Sequence, residues 1–387
     1  MTESKTSLGS IENNKDSIQK AKGKLLPLTI VKIVLVFLAL GLGFSIVSMS
    51  MARYFWDKSL AMQSITRFQP CIGEETSLEK WIRPPLNLMH KMTDEQLFWR
   101  ASLVPKVHNF PFKRVPKVAF MFLTRGPLPF LPLWDKFFKE QPHTLYSIYV
   151  HTLPSYKPDY PSSSVFHNRQ IPSQVAEWGK MSMCDAERRL LANALLDLSN
   201  ERFVLVSESC VPIVNFSTIY KYFVKSQHSF VGSFDEHSPH GRGRYNWNMA
   251  PEVEADQWRK GAQWFEVNRE LAVTIVEDHK YYPKFEKFCK PSCYVDEHYF
   301  PTMLSIETPA LIANRTVTFV DWSRGGAHPA TFGKHDITEG FLRKITQGHS
   351  CLYNHQNTSL CFLFARKFAP NTLEPLMNLA PMIFGYG

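Results

Sequence analysis

The sequence predicts an α/β domain with a mostly parallel sheet flanked by helices, preceded by a stem and a single N-terminal transmembrane helix. Two observations predict this fold class. One uncharged apolar run near the N-terminus has the length of a membrane-spanning helix. After it, short and continuously apolar runs alternate with helical patterns, which is typical of a parallel sheet covered on both faces. Hydrophobic residues make up 44% of the 387 residues, enough for the core of one large domain or two small ones.

The apolar run predicts a signal anchor at residues 25–51. The uncharged stretch 33–47, extended to Met51, approaches the roughly 20 residues that a spanning helix needs. Almost no charge follows it directly, whereas lysines cluster before it, at Lys5, Lys15, Lys20, Lys22 and Lys24. This asymmetry predicts a cytoplasmic and disordered tail at 1–24, and Lys32 can extend to the headgroups at that end. A cleaved signal peptide is the alternative, but such peptides start earlier and end in small residues.

Residues 52–115 are predicted to be a stem that passes into the edge of the domain, because prolines punctuate them. One helix is predicted inside this segment, with Thr93 as its N-cap and Gln96 completing a capping box. The domain proper is assigned to residues 116–387. In it the apolar and amphipathic patterns predict strands at 118–124, 145–151, 202–207 and 229–234, and helices at 133–139 and 183–198.

Polar residues follow three of these predicted strands. They are Thr124 with Arg125, His151, and the segment 207–209 that contains Glu208. Ligands of parallel sheets bind at the carboxyl ends of the strands, so these residues are candidates for a site. Ordinary loop residues would give the same pattern, and the sequence alone does not separate the two interpretations.

All seven cysteines lie after the anchor, in a compartment that the topology predicts to be oxidising. Cys289 with Cys293 and Cys351 with Cys361 are candidate disulfide partners, although spacing does not give connectivity. The odd number leaves at least one cysteine free, buried or paired with another chain, which allows a homo-oligomer. Three sequons, at Asn215, Asn314 and Asn357, predict glycosylation on the luminal side.

The formal charge of +9 does not predict a nucleic-acid partner, because no basic patch or nucleic-acid motif occurs in the luminal part. A metal site is not predicted either, because the chain lacks an Asp-x-Asp motif after a strand. The most similar sequence, Glu-Ala-Asp at 254–256, does not follow a predicted strand. A nucleotide diphosphate would then need cationic side chains. The last quarter of the chain supplies Arg324, Lys334, Arg343, Lys344, Arg366 and Lys367, although a solvated basic face is the alternative.

Carboxylates stand out at Glu208, Asp235–Glu236 and Asp296–Glu297. The last pair precedes a helical pattern that begins near Pro301. From pattern alone, a pair of N-terminal helix-capping residues is the favoured interpretation.

Several segments together resemble the plant branch of the core-2/I-branching β-1,6-N-acetylglucosaminyltransferase family, that is, family 14 glycosyltransferases. The similarity spans roughly residues 80–370. The segments that carry it are 93–102 (TDEQLFWRAS), 118–124 (VAFMFLT), 260–272 (KGAQWFEVNRELA), 294–300 (YVDEHYF) and 320–329 (VDWSRGGAHP).

This resemblance implies a GT-A-like sheet in a type II Golgi enzyme that is inverting and metal-independent. It implies that Glu297 is the general base, and that Lys367 binds the diphosphate with a second cation. Arg343 is the choice for that cation, with Lys344 or Arg324 as alternatives. Thr124 and Arg125 are assigned to the donor. The substrate-binding prediction consists of Trp322, whose aromatic face suits a sugar ring, with Glu208 and Arg324.

The predicted function is therefore transfer of a sugar from a UDP-sugar to a glycan hydroxyl on a cell-wall or secreted glycoprotein glycan, with no cofactor. The sequence leaves the donor open between N-acetylglucosamine, glucuronic acid and another hexose. A non-catalytic glycan-binding or scaffolding protein of the same fold is the alternative, because a fold alone does not imply activity.

Overall fold

The computed structural model describes residues 27–65, 84–85, 87–104, 110–326 and 328–387, with the backbone alone for 57–65. The chain divides into two units, Met1–Thr76 and Ser77–Gly387. The predicted tail at 1–24, Cys71 and much of the predicted stem lie outside the described residues.

The described part of the first unit is one helix, α1, at Leu28–Ile65. Its segment Leu28–Trp56 is long and apolar enough to cross a membrane by length and composition, which agrees with the predicted type II anchor. The helix continues beyond Met51, where the predicted anchor ends. It continues because residues 52–65 contain good helix formers and no glycine or proline.

The second unit contains the remaining elements, together with short 3₁₀ turns. In chain order they are α2 (Asp94–Ala101), β1 (Lys117–Leu123), α3 (Leu131–Phe138), β2 (Tyr146–His151), α4 (Met181–Leu195), β3 (Asn200–Ser207), β4 (Val211–Pro212), α5 (Phe216–Lys225), β5 (Glu266–Asn268), α6 (Arg269–Glu277), α7 (Tyr282–Phe288), α8 (Val295–Glu307), β6 (Thr318–Val320), α9 (Glu339–Thr346), β7 (Cys351–Tyr353), β8 (Gln356–Thr358), β9 (Phe364–Arg366) and α10 (Leu373–Ile383). Thr93 caps α2 in a capping box with Gln96, as predicted.

The central sheet has the strand order β2–β1–β3–β5. Strands β1, β2 and β3 are parallel, and β5 joins β3 in the antiparallel direction. Residues 118–123 of β1 are all buried, as expected for a strand covered on both faces. The prediction of a parallel-rich α/β sheet flanked by helices is confirmed.

The predicted fourth strand at 229–234 is wrong. Phe230 and Phe234 make only isolated bridges, to Glu266 and Lys260. Between these bridges the backbones at Gly232 and Gly261 approach closely, since a Cβ on Gly261 would lie 1.9 Å from the carbonyl oxygen of Gly232. The edge position belongs to β5, which pattern reading missed because it is short and contains Glu266, a buried carboxylate paired with Arg202 at 2.6 Å.

Helices cover both faces of the sheet because of the order in which the strands are connected. The chain moves from β1 to β2 in one direction and from β2 to β3 in the other. Right-handed crossovers therefore place α3 and α4 on opposite faces. On the α3 face, Phe120 packs edge-to-face against Phe138 at 5.0 Å and also contacts Phe216 of α5.

A second sheet has the order β4–β9–β6, in which β4, from the middle of the chain, pairs with β9 near its C-terminal end. Strands β7 and β8 form a hairpin. Disulfides join Cys351 to Cys361 and Cys289 to Cys293, the two pairs that the sequence offered as candidates. Cys184 and Cys210 are buried thiols. Among the described residues no exposed free thiol supports the predicted oligomerisation through a cysteine.

Candidate functional site

A cavity of about 1370 Å³ opens where the parallel strands end. Residues 123–125 after β1, 151–153 after β2 and 207–208 after β3 line one side of it. This is the edge of an α/β sheet where ligands bind, and where the sequence placed its candidates. The volume exceeds the roughly 300–1,000 Å³ of a typical single-ligand pocket, which leaves room for two substrates.

Glu297 lies in the first turn of α8 and lines this cavity. The helix begins at Val295, directly after Tyr294, which has a left-handed backbone with φ of 56°. The prediction that the helical pattern begins near Pro301 is wrong, because Pro301 lies inside α8. Asp296 and Glu297 are thus helical residues, and Glu297 keeps 27% of its side chain exposed to the cavity.

Pro301 explains how the backbone at Glu297 is held. Proline has no N–H, so the carbonyl of Glu297, four residues earlier, lacks its helical partner. The N–H of Gly261 donates to this carbonyl instead, at 2.8 Å. A Cβ on Gly261 would lie 1.9 Å from the carbonyl oxygen of Gly232 and 2.9 Å from Cγ of Pro301. Only glycine fits there, and it connects the first turn of α8 to the segment after Lys260.

Asp296, the neighbour of Glu297, lies in a very different environment. It is buried, and its Oδ1 has no hydrogen-bond partner among the described residues. Burial, together with the charge of Glu297, raises the pKa of Asp296 to about 7. Glu187 of α4 is fully buried, and its pKa is raised well above the usual range by burial and by Asp296. Its Oε1 accepts a hydrogen bond from Nε2 of Gln263 at 2.8 Å.

Arg244 contacts the carboxylate of Glu297. Its Nη1 lies 3.2 Å from Oε2 of Glu297, and its guanidinium lies 4.3 Å from the centroid of the Tyr294 ring. The 3₁₀ turn Arg242–Arg244 supplies this side chain. Arg242 on the same turn pairs with Asp235 instead, at 2.6 Å. The ion pair with Arg244 fixes the position of the Glu297 carboxylate at the cavity wall.

Two cations line the cavity at the end of β9. The guanidinium of Arg366 lies 4.1 Å from the centroid of the Trp264 ring, and Lys367 follows it. Burial lowers the pKa of Arg366, and its Nε has no hydrogen-bond partner among the described residues. A half-buried cation whose buried Nε donor is unused suits an anionic ligand such as a diphosphate.

Two comparisons relate this chain to known proteins. The model of the core-2/I-branching enzyme family matches residues 118–346. A curated relative, Glycosyltransferase BC10 of Oryza sativa subsp. japonica, is 36% identical over 308 residues, which cover 68% of this chain and 76% of that protein. The chain belongs to the core-2/I-branching enzyme family. The predicted resemblance is confirmed, and the protein is a glycosyltransferase of the core-2/I-branching type, which implies a sugar donor and a glycan acceptor.

In this glycosyltransferase most of the predicted site residues meet in one cavity. Besides Glu297 and Lys367, the cavity is lined by Thr124, Arg125, Glu208 and Trp322. The ring of Trp322 is 52% exposed, which leaves it accessible to a ligand. Their roles stay predictions.

The predicted partners of Lys367 are placed elsewhere. Arg343 lies on α9 and pairs with Glu339 at 2.8 Å, one helical turn away. Among the described residues that line the cavity there is no Arg343, Lys344 or Arg324. The structure therefore favours Arg366 over Arg343 as the second cation. Sequence reasoning counted Arg366 among the basic residues but did not select it, because its burial against Trp264 arises from a contact distant in the chain.

Other lining residues of the core-2/I-branching cavity were missed. They include Arg244, Gln263, Trp264 and Lys260, which pairs with Glu236 at 3.1 Å. Residues 260–272 supported the family resemblance, but the pattern assigned no role to any of them. The cluster of Gly and Arg at 241–244 was the one local signal for an irregular turn near the site.

The sequon asparagines differ in their surroundings. Asn357 on β8 and Asn314 are exposed, whereas Asn215 is partly buried and caps α5 through its Oδ1. The Oδ1 of Asn314 accepts a hydrogen bond from the N–H of Ser233 at 2.7 Å. Glycosylation at these positions stays a prediction. Within the described residues no group of three or more His, Cys, Asp or Glu side chains could hold a metal ion.

Proposed function

We propose that this chain is a Golgi type II glycosyltransferase that moves a sugar from a UDP-sugar to a glycan hydroxyl, with inversion and without a metal ion. The observation that carries the proposal is the composition of one cavity. It presents the Glu297 carboxylate together with two cations, Arg366 and Lys367. An inverting transferase needs a base for the acceptor and positive charge for the leaving diphosphate.

The proposed reaction is a single in-line displacement. Glu297 takes the proton of the acceptor hydroxyl as its oxygen forms a bond to the anomeric carbon. The bond from that carbon to the diphosphate oxygen breaks on the opposite side, and UDP leaves with the electron pair. Arg366 and Lys367 stabilise the negative charge that develops on the diphosphate. One displacement inverts the configuration at the anomeric carbon.

The surroundings of Glu297 support its role as the base. Arg244 neutralises its charge without enclosing it, because 27% of the Glu297 side chain stays exposed. The Gly261 hydrogen bond holds the backbone of Glu297, and holding a reacting group in place is a large part of catalysis. The buried neighbour Asp296 has a pKa raised to about 7 and is less suited to remain charged.

The membrane helix and the basic residues before it support the proposed topology. Helix α1 is long enough to span a bilayer, and lysines precede it in the sequence. A type II orientation places the second unit in the lumen, where acceptor glycans of the secretory pathway occur. On this basis we infer a cell-wall or secreted glycoprotein glycan as the acceptor.

The full chain in detergent micelles tests the proposal. It is incubated with UDP-N-acetylglucosamine, UDP-glucuronic acid, UDP-galactose, UDP-glucose or UDP-xylose and plant glycoprotein glycans, with and without EDTA. We expect transfer that persists in EDTA and falls about 10²- to 10⁴-fold in Glu297→Gln. Glu254→Gln is the matched control, since Glu254 is exposed and does not line the cavity.

Each other result has a definite meaning. Transfer that EDTA abolishes and a divalent ion restores contradicts the metal-independent mechanism. Equal activity of Glu297→Gln and the wild type removes Glu297 as the base. Glycan binding without turnover of any UDP-sugar favours the non-catalytic alternative.

A further inference from the structure

A second cavity, of about 410 Å³, lies beside the first one and contains no carboxylate among its described lining residues. It is lined by residues 243–248 and 290–292. Arg244 lines both cavities and pairs with Glu297, so the second cavity adjoins the site of Glu297. A ligand whose reacting end contacts Glu297 can therefore extend into it.

Trp247 is the outstanding side chain of this second cavity. It is 76% exposed, more than any other tryptophan in the described part of the chain. Tyr245 packs edge-to-face against it, with 5.3 Å between ring centroids. Tyr245 is fixed in turn, because its hydroxyl donates to the carbonyl of Val253 at 2.7 Å. The large apolar ring faces the cavity while its neighbour holds it.

The backbone that carries Trp247 is held on both sides. Nδ2 of Asn246 donates to the carbonyl of Phe288 at 3.0 Å, and Oδ1 of Asn246 accepts from the N–H of Asn248 at 3.1 Å. Met249, two residues after Trp247, is fully buried and anchors the turn in the core. A tryptophan on such a turn loses little conformational entropy when it binds a ligand.

We propose that this second cavity is an acceptor subsite, where Trp247 stacks on a sugar unit of an extended glycan whose reacting hydroxyl lies at Glu297. The inference rests on the proposed function. A sugar ring has an apolar face of C–H groups and a rim of hydroxyls, and it fits a rigid aromatic ring with polar groups around it. Asn248 and Lys290 supply such polar groups at the cavity wall. The acceptor is thus an oligosaccharide, not a single sugar.

The full chain in detergent micelles tests this subsite through the length of the acceptor. For an acceptor that turns over, kcat/KM is measured for the extended glycan and for its terminal disaccharide. We expect the ratio of the two values to fall about 5- to 10-fold in Trp247→Ala, the effect of losing one aromatic stacking contact. Trp247→Phe should restore part of the ratio, because it keeps an aromatic face.

Trp99→Ala is the matched control. Trp99 is 68% exposed, lies on α2 and lines neither cavity, so this change should leave the ratio unchanged. Direct binding is measured alongside, by electrophoresis of the full chain in gels that contain arabinogalactan. The wild type and Trp99→Ala should be retarded, and Trp247→Ala should migrate faster than both.

Several outcomes would overturn the subsite. They are an unchanged ratio in Trp247→Ala, a wild type that does not prefer the longer glycan, and equal losses for both acceptor lengths together with a lowered melting temperature. A loss seen only with the peptide portion of a glycoprotein would indicate a peptide site.

If no acceptor turns over, the electrophoresis experiment provides the test. A wild type that arabinogalactan does not retard overturns the subsite. Failure of the proposed function is distinct, since it appears as absent UDP-sugar hydrolysis and transfer in a wild type that still binds arabinogalactan through Trp247.

Discussion

The two sides of the main cavity are built in different ways. One side, the strand wall, consists of residues 123–125, 151–153 and 207–208 at the ends of β1, β2 and β3. The other side, the loop wall, consists of Arg244, residues 260–264, Asp296–Glu297 and Arg366–Lys367. The strand wall follows from the topology of the sheet, whereas the loop wall depends on single contacts between distant segments. The groups to which we assign the chemistry lie mostly on the loop wall.

Gly261→Ala is the substitution expected to disrupt the loop wall most. The added Cβ would meet the carbonyl oxygen of Gly232 at 1.9 Å, and backbone atoms cannot move aside as a flexible side chain can. We expect a loss of about 3 kcal/mol in the free energy of unfolding. Activity should fall more than about 100-fold, because the hydrogen bond to the Glu297 carbonyl is displaced. Thermal unfolding and transfer assays measure the two effects.

Gly340→Ala is the control for that substitution. Gly340 lies in α9, and a Cβ there meets no atom within 4 Å. Alanine should stabilise this helix by up to about 1 kcal/mol and leave activity unchanged. If Gly261→Ala behaved like Gly340→Ala, the close approach of the two glycine backbones would not hold the base.

The choice between Arg366 and Arg343 tests whether the loop wall binds the diphosphate. Arg366→Ala should lower kcat/KM about 100-fold, since it removes one preorganised donor to the leaving group. Arg343→Ala should change kcat/KM less than about 2-fold, because Arg343 pairs with Glu339 outside the cavity. The reverse order of effects would restore the original prediction for Arg343. UDP inhibition of each variant provides an independent measure of binding.

Substitution of Arg244 is expected to have a smaller effect on activity, because Arg244 acts indirectly, through its ion pair with Glu297. Arg244→Ala should lower kcat about 10-fold, and Arg244→Lys should recover part of the loss by restoring a cation without its stacking on Tyr294. Arg242→Ala is the control on the same turn, because Arg242 pairs with Asp235 at 2.6 Å. Equal rates for the Arg244 and Arg242 variants would show that the ion pair with Glu297 is not used.

The sequence predicted the strand wall because its signals are local. The apolar runs at 118–124, 145–151 and 202–207 are long enough to identify strands, and the polar residue after each one marks the ligand edge. The anchor and the capping box of Thr93 were also predictable, since length, charge asymmetry and residue spacing define them. Each of these features is encoded in one contiguous segment of the chain.

The loop wall could be predicted only where the family resemblance reached it. Glu297 and Lys367 came from that resemblance, whereas the burial of Arg366 against Trp264 joins segments about 100 residues apart and leaves no local pattern. β5 was missed because the buried charge of Glu266 depends on a partner, Arg202, in another strand. The start of α8 was misplaced because proline usually marks the first turn of a helix, and here Pro301 lies in its middle.

The last prediction concerns the stability of the fold, not activity, and rests on Asp296, the buried one of the two neighbouring carboxyls of the loop wall. Its pKa rises from 3.8 to about 7 on folding, so the folded protein binds more protons than the unfolded chain between these pH values. Stability therefore falls as pH rises through this window, and the loss is complete above pH 7. With about 1.4 kcal/mol per pKa unit, it amounts to at most about 4 kcal/mol.

Asp296→Asn removes this ionisation and keeps the shape of the side chain. Its melting temperature should match that of the wild type near pH 4 and exceed it by several degrees at pH 8. Asp321→Asn is the control of opposite sign, because the N–H and hydroxyl of Ser323 lower the pKa of Asp321 and stabilise its charged form. A melting-temperature difference for Asp296→Asn that did not grow with pH would mean that Asp296 stays ionised. Both carboxyls at the start of α8 would then be available as the base, and the distinction between Glu297 and its neighbour would rest on exposure alone.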